Sequence, residues 1–309
     1  MKNLARILSF AAATSLALTA WPALACSVCG CGDPLVGVGQ VAGPAGQLGL
    51  ELDGQWLYQT AGNEAEPGAT DVLNQYSVLL TTSYTPVARL NLVVTLPWVW
   101  KNMQMEMPDG TRMTTSNLNG FGDMQFGLRW FFWDDTDVGN RTHQTLSVSA
   151  STFAPTGNNS AVDAAGNRVD EHGQIGTGGW GPSAGLFYRI QGDVWSGYGG
   201  LWGLYRSVNS YGYRFGSAAL WTVAGQYQPL DWLAVALAVD GRAAGSDVQD
   251  GASVENTGGF VLAAVPAVYV NVFPGGWLLA KAQLPFATKL NGVQTIGAVI
   301  TAGLRYELF

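Results

Sequence analysis

Leu48-Gly49-Leu50-Glu51-Leu52-Asp53-Gly54-Gln55-Trp56-Leu57-Tyr58-Gln59-Thr60 reads with a period of two. Leu48, Leu50, Leu52, Trp56 and Tyr58 share one parity, and Glu51, Asp53, Gln55 and Gln59 share the other. Successive side chains of a strand point to opposite faces, so this stretch has one apolar face and one wet face. The pattern recurs along the chain. Tyr76, Val78, Leu80 and Tyr84 oppose Gln75, Ser77, Thr81 and Ser83, and Leu90, Leu92, Val94, Leu96 and Trp98 oppose Arg89, Asn91 and Thr95. Met124, Phe126, Leu128 and Trp130 oppose Asp123, Gln125 and Arg129. Leu186, Tyr188 and Ile190 oppose Ser183, Arg189 and Gln191. Ala280, Ala282, Leu284 and Phe286 oppose Lys281 and Gln283, and Ile296, Ala298, Ile300, Leu304 and Tyr306 oppose Thr295, Thr301, Arg305 and Glu307. Between about 215 and 273 both faces are apolar or small, and the register is not readable there.

Short turn signals (Thr85-Pro86, Asp134-Asp135, Gly192-Asp193, Pro229-Leu230-Asp231, Pro274-Gly275-Gly276) alternate with longer polar, Gly-rich connections around 61–74, 102–118, 156–179, 207–214 and 242–257. Asn291-Gly292 is a tight hairpin signal. Alternating short and long connections are the mark of an outer-membrane barrel, with turns in the periplasm and loops outside. About 12 strands of ~10–14 residues are expected, an even number that leaves both termini periplasmic. A soluble β-sandwich would also alternate. Three features favour the barrel: Tyr58, Tyr84, Trp98, Trp100, Trp130 and Tyr188 fall near strand ends like an interface girdle, charges sit mid-strand on the polar faces, and the chain ends Gly303-Leu304-Arg305-Tyr306-Glu307-Leu308-Phe309, which resembles the signal read by outer-membrane assembly machinery. The fold class is thus an all-β, transmembrane, antiparallel up-and-down barrel. Its expected partners are outer-membrane lipid, that assembly machinery and a small-molecule solute.

Composition agrees. The chain has 309 residues, 48 % hydrophobic and 12 % charged, with 41 Gly, 12 Trp and a net charge of −7. Low charge with many aromatics excludes a disordered chain, net acidity argues against nucleic acid, and much Gly with few Glu and Lys argues against helical bundles. Residues 1–25 read as a signal peptide: Lys2 and Arg6, an apolar run over 7–18, and the cleavage motif Ala23-Leu24-Ala25. Cleavage leaves Cys26 first, which an imperfect lipobox would lipidate. No later stretch reaches the ~18–20 apolar residues of a membrane helix, and 260–272 is interrupted by Pro266 and Asn271. The layout is a signal peptide (1–25), a Cys/Gly-rich periplasmic segment (26–46) and a barrel (47–309). The localisation is the outer membrane of a Gram-negative bacterium, with the N-terminus in the periplasm.

With this parity the lumen carries Glu51, Asp53, Asp123 and Glu307 with Arg89, Lys101, Arg129, Arg189, Lys281 and Arg305. Both signs are present, so no strong ion-selective field is implied. These charges either brace the wall or line a hydrated path.

Several motifs carry a family resemblance. They are Tyr84-Thr85-Pro86-Val87-Ala88-Arg89-Leu90 leading to Leu96-Pro97, Gly120-Phe121-Gly122-Asp123-Met124-Gln125-Phe126-Gly127-Leu128-Arg129, Phe153-Ala154-Pro155-Thr156-Gly157, and Gln283-Leu284-Pro285-Phe286. Over about 80–309 the chain resembles outer-membrane transporters grouped with a protein of phenol meta-pathway degradation operons. The resemblance implies a barrel that passes small molecules, without fixing which.

All three cysteines lie in Cys26-Ser27-Val28-Cys29-Gly30-Cys31-Gly32. Cys26, Cys29 and Cys31 are candidate ligands for a soft ion, Cu(I) or Zn(II), and the lack of a fourth ligand nearby suits trigonal Cu(I). The alternative is a disulfide in an oxidising compartment, with Cys26 lipidated or left as a thiol. Met103, Met105, Met107 and Met113 are softer candidates, read more simply as apolar packing. Gly37-Val38-Gly39-Gln40-Val41-Ala42 matches a dinucleotide fingerprint without the strand that should precede it. Asp170-Glu171-His172 reads as solvated loop, and His143 has no recognisable partner carboxylate. No Ser/His/acid set falls on one side of the wall, so no enzyme is expected. The expected function is passive passage of a small solute. The alternatives are a soft-metal-binding outer-membrane protein or a sheath for a redox partner.

Overall fold

The alternation closes a sheet on itself. The computed structural model describes residues 44–63, 68–163 and 165–308. The signal peptide, Cys26, Cys29 and Cys31, and the Gly37–Ala42 motif all lie outside the described residues. The chain runs through β1 (Leu48–Gly62), β2 (Thr70–Val87), β3 (Leu90–Glu106) and β4 (Arg112–Phe121). It continues with β5 (Gln125–Asp137), β6 (Thr142–Phe153), β7 (Gly181–Gln191) and β8 (Trp195–Leu204). A two-residue β9 (Tyr213–Arg214) precedes β10 (Ala218–Leu230) and β11 (Leu233–Ala244). Two more short pieces, β12 (Val248–Gln249) and β13 (Ala252–Ser253), come before β14 (Gly259–Phe273), β15 (Gly276–Leu290) and β16 (Gln294–Leu308).

Every ladder is antiparallel, and β1 pairs with both β2 and β16, which closes the ring. The sheet has 13 strands, but β4 pairs with β3 alone, so twelve strands form the wall. The lower part of β3 pairs with β5 (Leu90↔Trp130 to Thr95↔Gln125), and its upper part pairs with β4 (Trp98↔Phe121 to Glu106↔Arg112). The step between them falls at Gly122-Asp123-Met124, beside Pro97, which has no N–H to give and whose carbonyl accepts from Gly122 N at 3.0 Å. No helix among the described residues is long and apolar enough to span a membrane, which says nothing of strands.

The expected parity holds on β1. Leu50, Leu52 and Trp56 are exposed on the outside while Asp53, Leu57 and Gln59 are buried inside. Large apolar side chains cover the exterior elsewhere too, including Leu80, Leu128, Leu186, Leu201, Val223, Leu237 and Ile300. Exposed Tyr84, Trp130, Tyr188, Trp195, Tyr227 and Trp232 ring the end that carries the short turns, as an interface girdle does.

Three departures from the sequence reading have local causes. The first turn falls at Ala88-Arg89 and not at Thr85-Pro86, because β2 stays paired through Val87↔Leu90. β5 runs past Asp134-Asp135 to Asp137, helped by a bulge between Phe131 and Trp133. The expected loop at 102–118 is instead a tall hairpin, turned at 107–111 and built from the top of β3 and β4. A further bulge, between Leu57 and Gln59 opposite β16, reverses parity there and turns Ile296 into the lumen.

Candidate functional site

The barrel interior has three levels. At the level nearest the short turns, the predicted lumen charges gather. Asp53 is buried on β1 with Glu51 and Lys281 as its charged neighbours. Arg129 is buried with its guanidinium 4.8 Å from the Phe187 ring centre. Arg189 donates to Gln191 Oε1 at 3.0 Å and lies within electrostatic reach of Arg305 from the opposite wall. Arg305 pairs with Glu307 at 2.8 Å, and Glu307 stands half-exposed at the rim. Interior charges of both signs thus line the lower part of the ring. Arg89 does not join them. It sits exposed in the two-residue turn with φ 72°, because the turn falls later than the Thr85-Pro86 signal, and it leaves the set of lumen residues.

Above this level lies a cavity of about 380 Å³. One side, on β1, β2 and β3, carries Gln55, Gln59, Gln75, Ser77 and Thr95. Half-way round the ring, β8, β10 and β11 present Tyr198, Trp202, Leu220, Ala236 and Ala238. Most of these join a buried apolar cluster with Phe153, Phe187 and Val265. This explains why 215–273 gave no alternation: the inner face of β10 and β11 is itself small and apolar (Leu220, Ala224, Ala234, Ala236, Ala238), matching the lipid face in polarity.

The third level is a plug. The loop 154–180 folds into the outer mouth, and two of the predicted lumen residues hold it there. Lys101, buried on β3, donates from Nζ to His172 O at 3.1 Å and to Gln174 O at 2.7 Å. The Asp123 carboxylate accepts from Gly157 N (3.0 Å), Thr177 N (2.8 Å) and Thr177 Oγ1 (2.6 Å). Thr156 Oγ1 donates to Gly122 O and accepts from Met124 N, so the loop also fills the step between β4 and β5. Gln174 is fully buried and crosslinks the loop through Ala161 and Val169. Ile175 and Thr177 form part of the cavity wall, which makes the plug its roof.

The plug is tied to two further loops. His172 Nε2 lies 3.0 Å from Asp247 Oδ2, and Tyr213 OH donates to the same oxygen at 2.6 Å. Asp247 is wholly buried and its Oδ1 accepts from Gly216 N at 2.7 Å. Arg168 pairs with both Glu171 oxygens (2.6 and 2.8 Å) and stacks over Tyr211 at 3.7 Å. The segment Asp170-Glu171-His172, read from sequence as solvated, is therefore the knot of the outer mouth. Its partners lie up to 75 residues away, so no local pattern betrays it. The one available signal was length: a Gly-rich connection well beyond about 12–15 residues inside a compact domain is usually functional.

Met103 packs inward with Ala61 and Leu73, as apolar filling. Met113 is exposed. His143 has a partner after all, Asp134 at 2.7 Å, because β5 continues past the expected turn. Among the described residues no group of three or more His, Cys, Asp or Glu side chains is placed to hold a metal ion.

No family model matches the chain, and no curated protein does. Solved structures do. The COG4313 outer membrane channel from Pseudomonas putida F1 superposes with a TM-score of 0.64 at 13% identity, over 90% of this chain and 100% of that one. The translocator domain of the autotransporter NalP from Neisseria meningitidis follows more distantly, with a TM-score of 0.47 at 12% identity, over 88% of this chain and 91% of that one. The chain therefore has the fold of an outer-membrane β-barrel.

Proposed function

We propose that the protein is an outer-membrane conduit through which a small solute passes passively, with the loop 154–180 as its constriction. The carrying observation is the clamp itself: Lys101 and Asp123 spend their charges on the plug, holding a roof over a cavity of about 380 Å³ inside a closed ring. A barrel serving only as an anchor has no use for an internal chamber roofed in this way. The apolar exterior and its aromatic girdle support the outer membrane as the location, and the fold shared with the COG4313 channel supports the same reading. The opposed charges of the lower ring argue for a small, weakly ion-selective path.

The test is conductance of the folded chain in planar bilayers, with and without Lys101→Met. Lys101 satisfies two loop carbonyls, and removing a charged donor from buried acceptors costs about 2 kcal/mol. That raises the released-plug population about thirtyfold. Rare, brief openings in the parent and frequent larger ones in the variant are expected. A well-folded preparation of both that stays silent would end the conduit reading.

A further inference from the structure

The cavity beneath the plug has two faces that differ in chemistry, and the charged groups of its wall are already engaged. Lys101 and Asp123 hold the loop, Asp240 accepts from Thr222 Oγ1 at 2.7 Å, Arg206 stacks on Phe153 at 4.6 Å, and Lys281 stands in the field of Asp53. Among the wall's polar atoms left without a hydrogen-bond partner are two neutral amide oxygens. Gln59 and Gln75 are 6% and 4% exposed, both line the cavity, and the Oε1 atom of each has no hydrogen-bond partner among the described residues. Gln75 directs its amide N–H to Ser77 Oγ at 3.1 Å. The two side chains are diagonal neighbours on one face, since Gln75 sits opposite Leu57 and Gln59 is two residues further along β1. Across the ring stand Trp202, Leu220 and Ala238.

A buried acceptor without a donor is costly, and a ligand that supplies the donor recovers that cost. We propose that the chamber binds a neutral organic molecule with an apolar body and an N–H or O–H donor head, of the primary-amide or alcohol class. The head meets Gln59 and Gln75, and the body lies against Trp202 and Leu220. A net-charged head gains no free counter-charge here. A wholly apolar molecule leaves both amide oxygens unmet. The volume lies at the lower end of the ~300–1,000 Å³ typical of small-molecule sites. The inference rests on the conduit reading for its purpose but not for its test.

The experiment uses the full folded chain in lipid nanodiscs, with hexanamide and N,N-dimethylhexanamide as probes. The second keeps the carbonyl and the apolar tail and lacks the N–H donors. Binding is followed by tryptophan fluorescence, with empty nanodiscs correcting for partition into lipid. The unmodified chain is expected to bind hexanamide about tenfold more tightly than the dimethyl analogue. A Gln59→Leu/Gln75→Leu chain should lose that preference while its affinity for the dimethyl analogue stays unchanged. Equal affinities on the unmodified chain mean that water meets these oxygens as well as any ligand, and overturn the proposal. So does a preference that survives the double substitution. If the double variant does not fold, the probe pair on the unmodified chain and Gln75→Asn, which withdraws one oxygen, decide the matter. Bilayer currents separate the two readings: a conducting chain without donor preference keeps the conduit and sinks the ligand class, and a donor-selective chain silent with or without Lys101→Met does the reverse.

Discussion

Asp170 shows how single groups hold the outer mouth. Its surroundings would raise its pKa by desolvation, but the nearby His172 ring, 3.0 Å from Oδ1, and the backbone N–H of His172 at 2.9 Å pull the other way and hold it at about 2, below the ordinary 3.8. The carboxylate side chain is more than half exposed, so water screens much of this effect. The sign is nevertheless fixed. A carboxyl held below its unfolded value stabilises the folded loop above about 3.8, and that contribution is lost as pH falls through about 2. The plug should therefore loosen in this acid window and be indifferent between pH 5 and 8 as far as Asp170 is concerned. Single-channel conductance of the parent should rise over the window. Asp170→Asn should show a smaller rise, starting from a looser state at neutral pH. Identical acid profiles for the two chains would count against Asp170 as a strut of the plug.

The plug loop is an element whose shape depends on two glycines meeting back to back. A Cβ on Gly176 would lie 2.6 Å from Gly157 Cα and closer still to the Gly157 carbonyl, so backbone must move to admit it. Gly176 N also donates to Asn158 O at 2.9 Å, which locks the crossing. Gly176→Ala should push the strand of loop carrying Ile175 and Thr177 off the chamber and break the Asp123 contacts. It should leave the wall strands paired. The expected result is higher conductance and faster proteolytic nicking within 154–180, with the folded band on an unheated gel unchanged. Nicking no faster than in the parent would show that the loop does not depend on this crossing. How legible the element was from sequence follows from the same contacts. The wall strands announce themselves because each residue's face is set by its own neighbours at i ± 2, and Asp53, Lys101 and Arg129 lie buried on the face that this alternation gives them. What Lys101 and Asp123 do there is not legible, since their partners are 34–73 residues away and, the Thr177 hydroxyl apart, are backbone carbonyls and N–H groups that carry no sequence signature. The apolar chamber wall hid for a different reason: Ala234, Ala236 and Ala238 on the inside look like the lipid face, so the contrast on which the reading depends vanishes.

On the scale of the whole molecule, a matched pair of substitutions tests whether one surface of the sheet faces hydrocarbon and the other the lumen. Leu237 is outward on β11, 59% exposed, and pairs with Gly225 and Pro266 in neighbouring strands, near mid-height of the wall. Gln55 is inward on β1, beside Thr301 on β16, and lines the chamber. If lipid bathes the outside, Leu237→Arg places a charge in the hydrocarbon mid-plane and costs about 2–4 kcal/mol. Gln55→Arg keeps its charge among polar lumen groups and should cost under about 1 kcal/mol. Guanidinium unfolding in phospholipid vesicles measures both, and the difference between them cancels effects of arginine on strand propensity. For a sandwich in water the order inverts, because Leu237 would be a surface position that tolerates arginine and Gln55 would lie in a dry core. Equal costs, or a larger cost at Gln55, would mean that the exposed apolar belt is not where the bilayer sits.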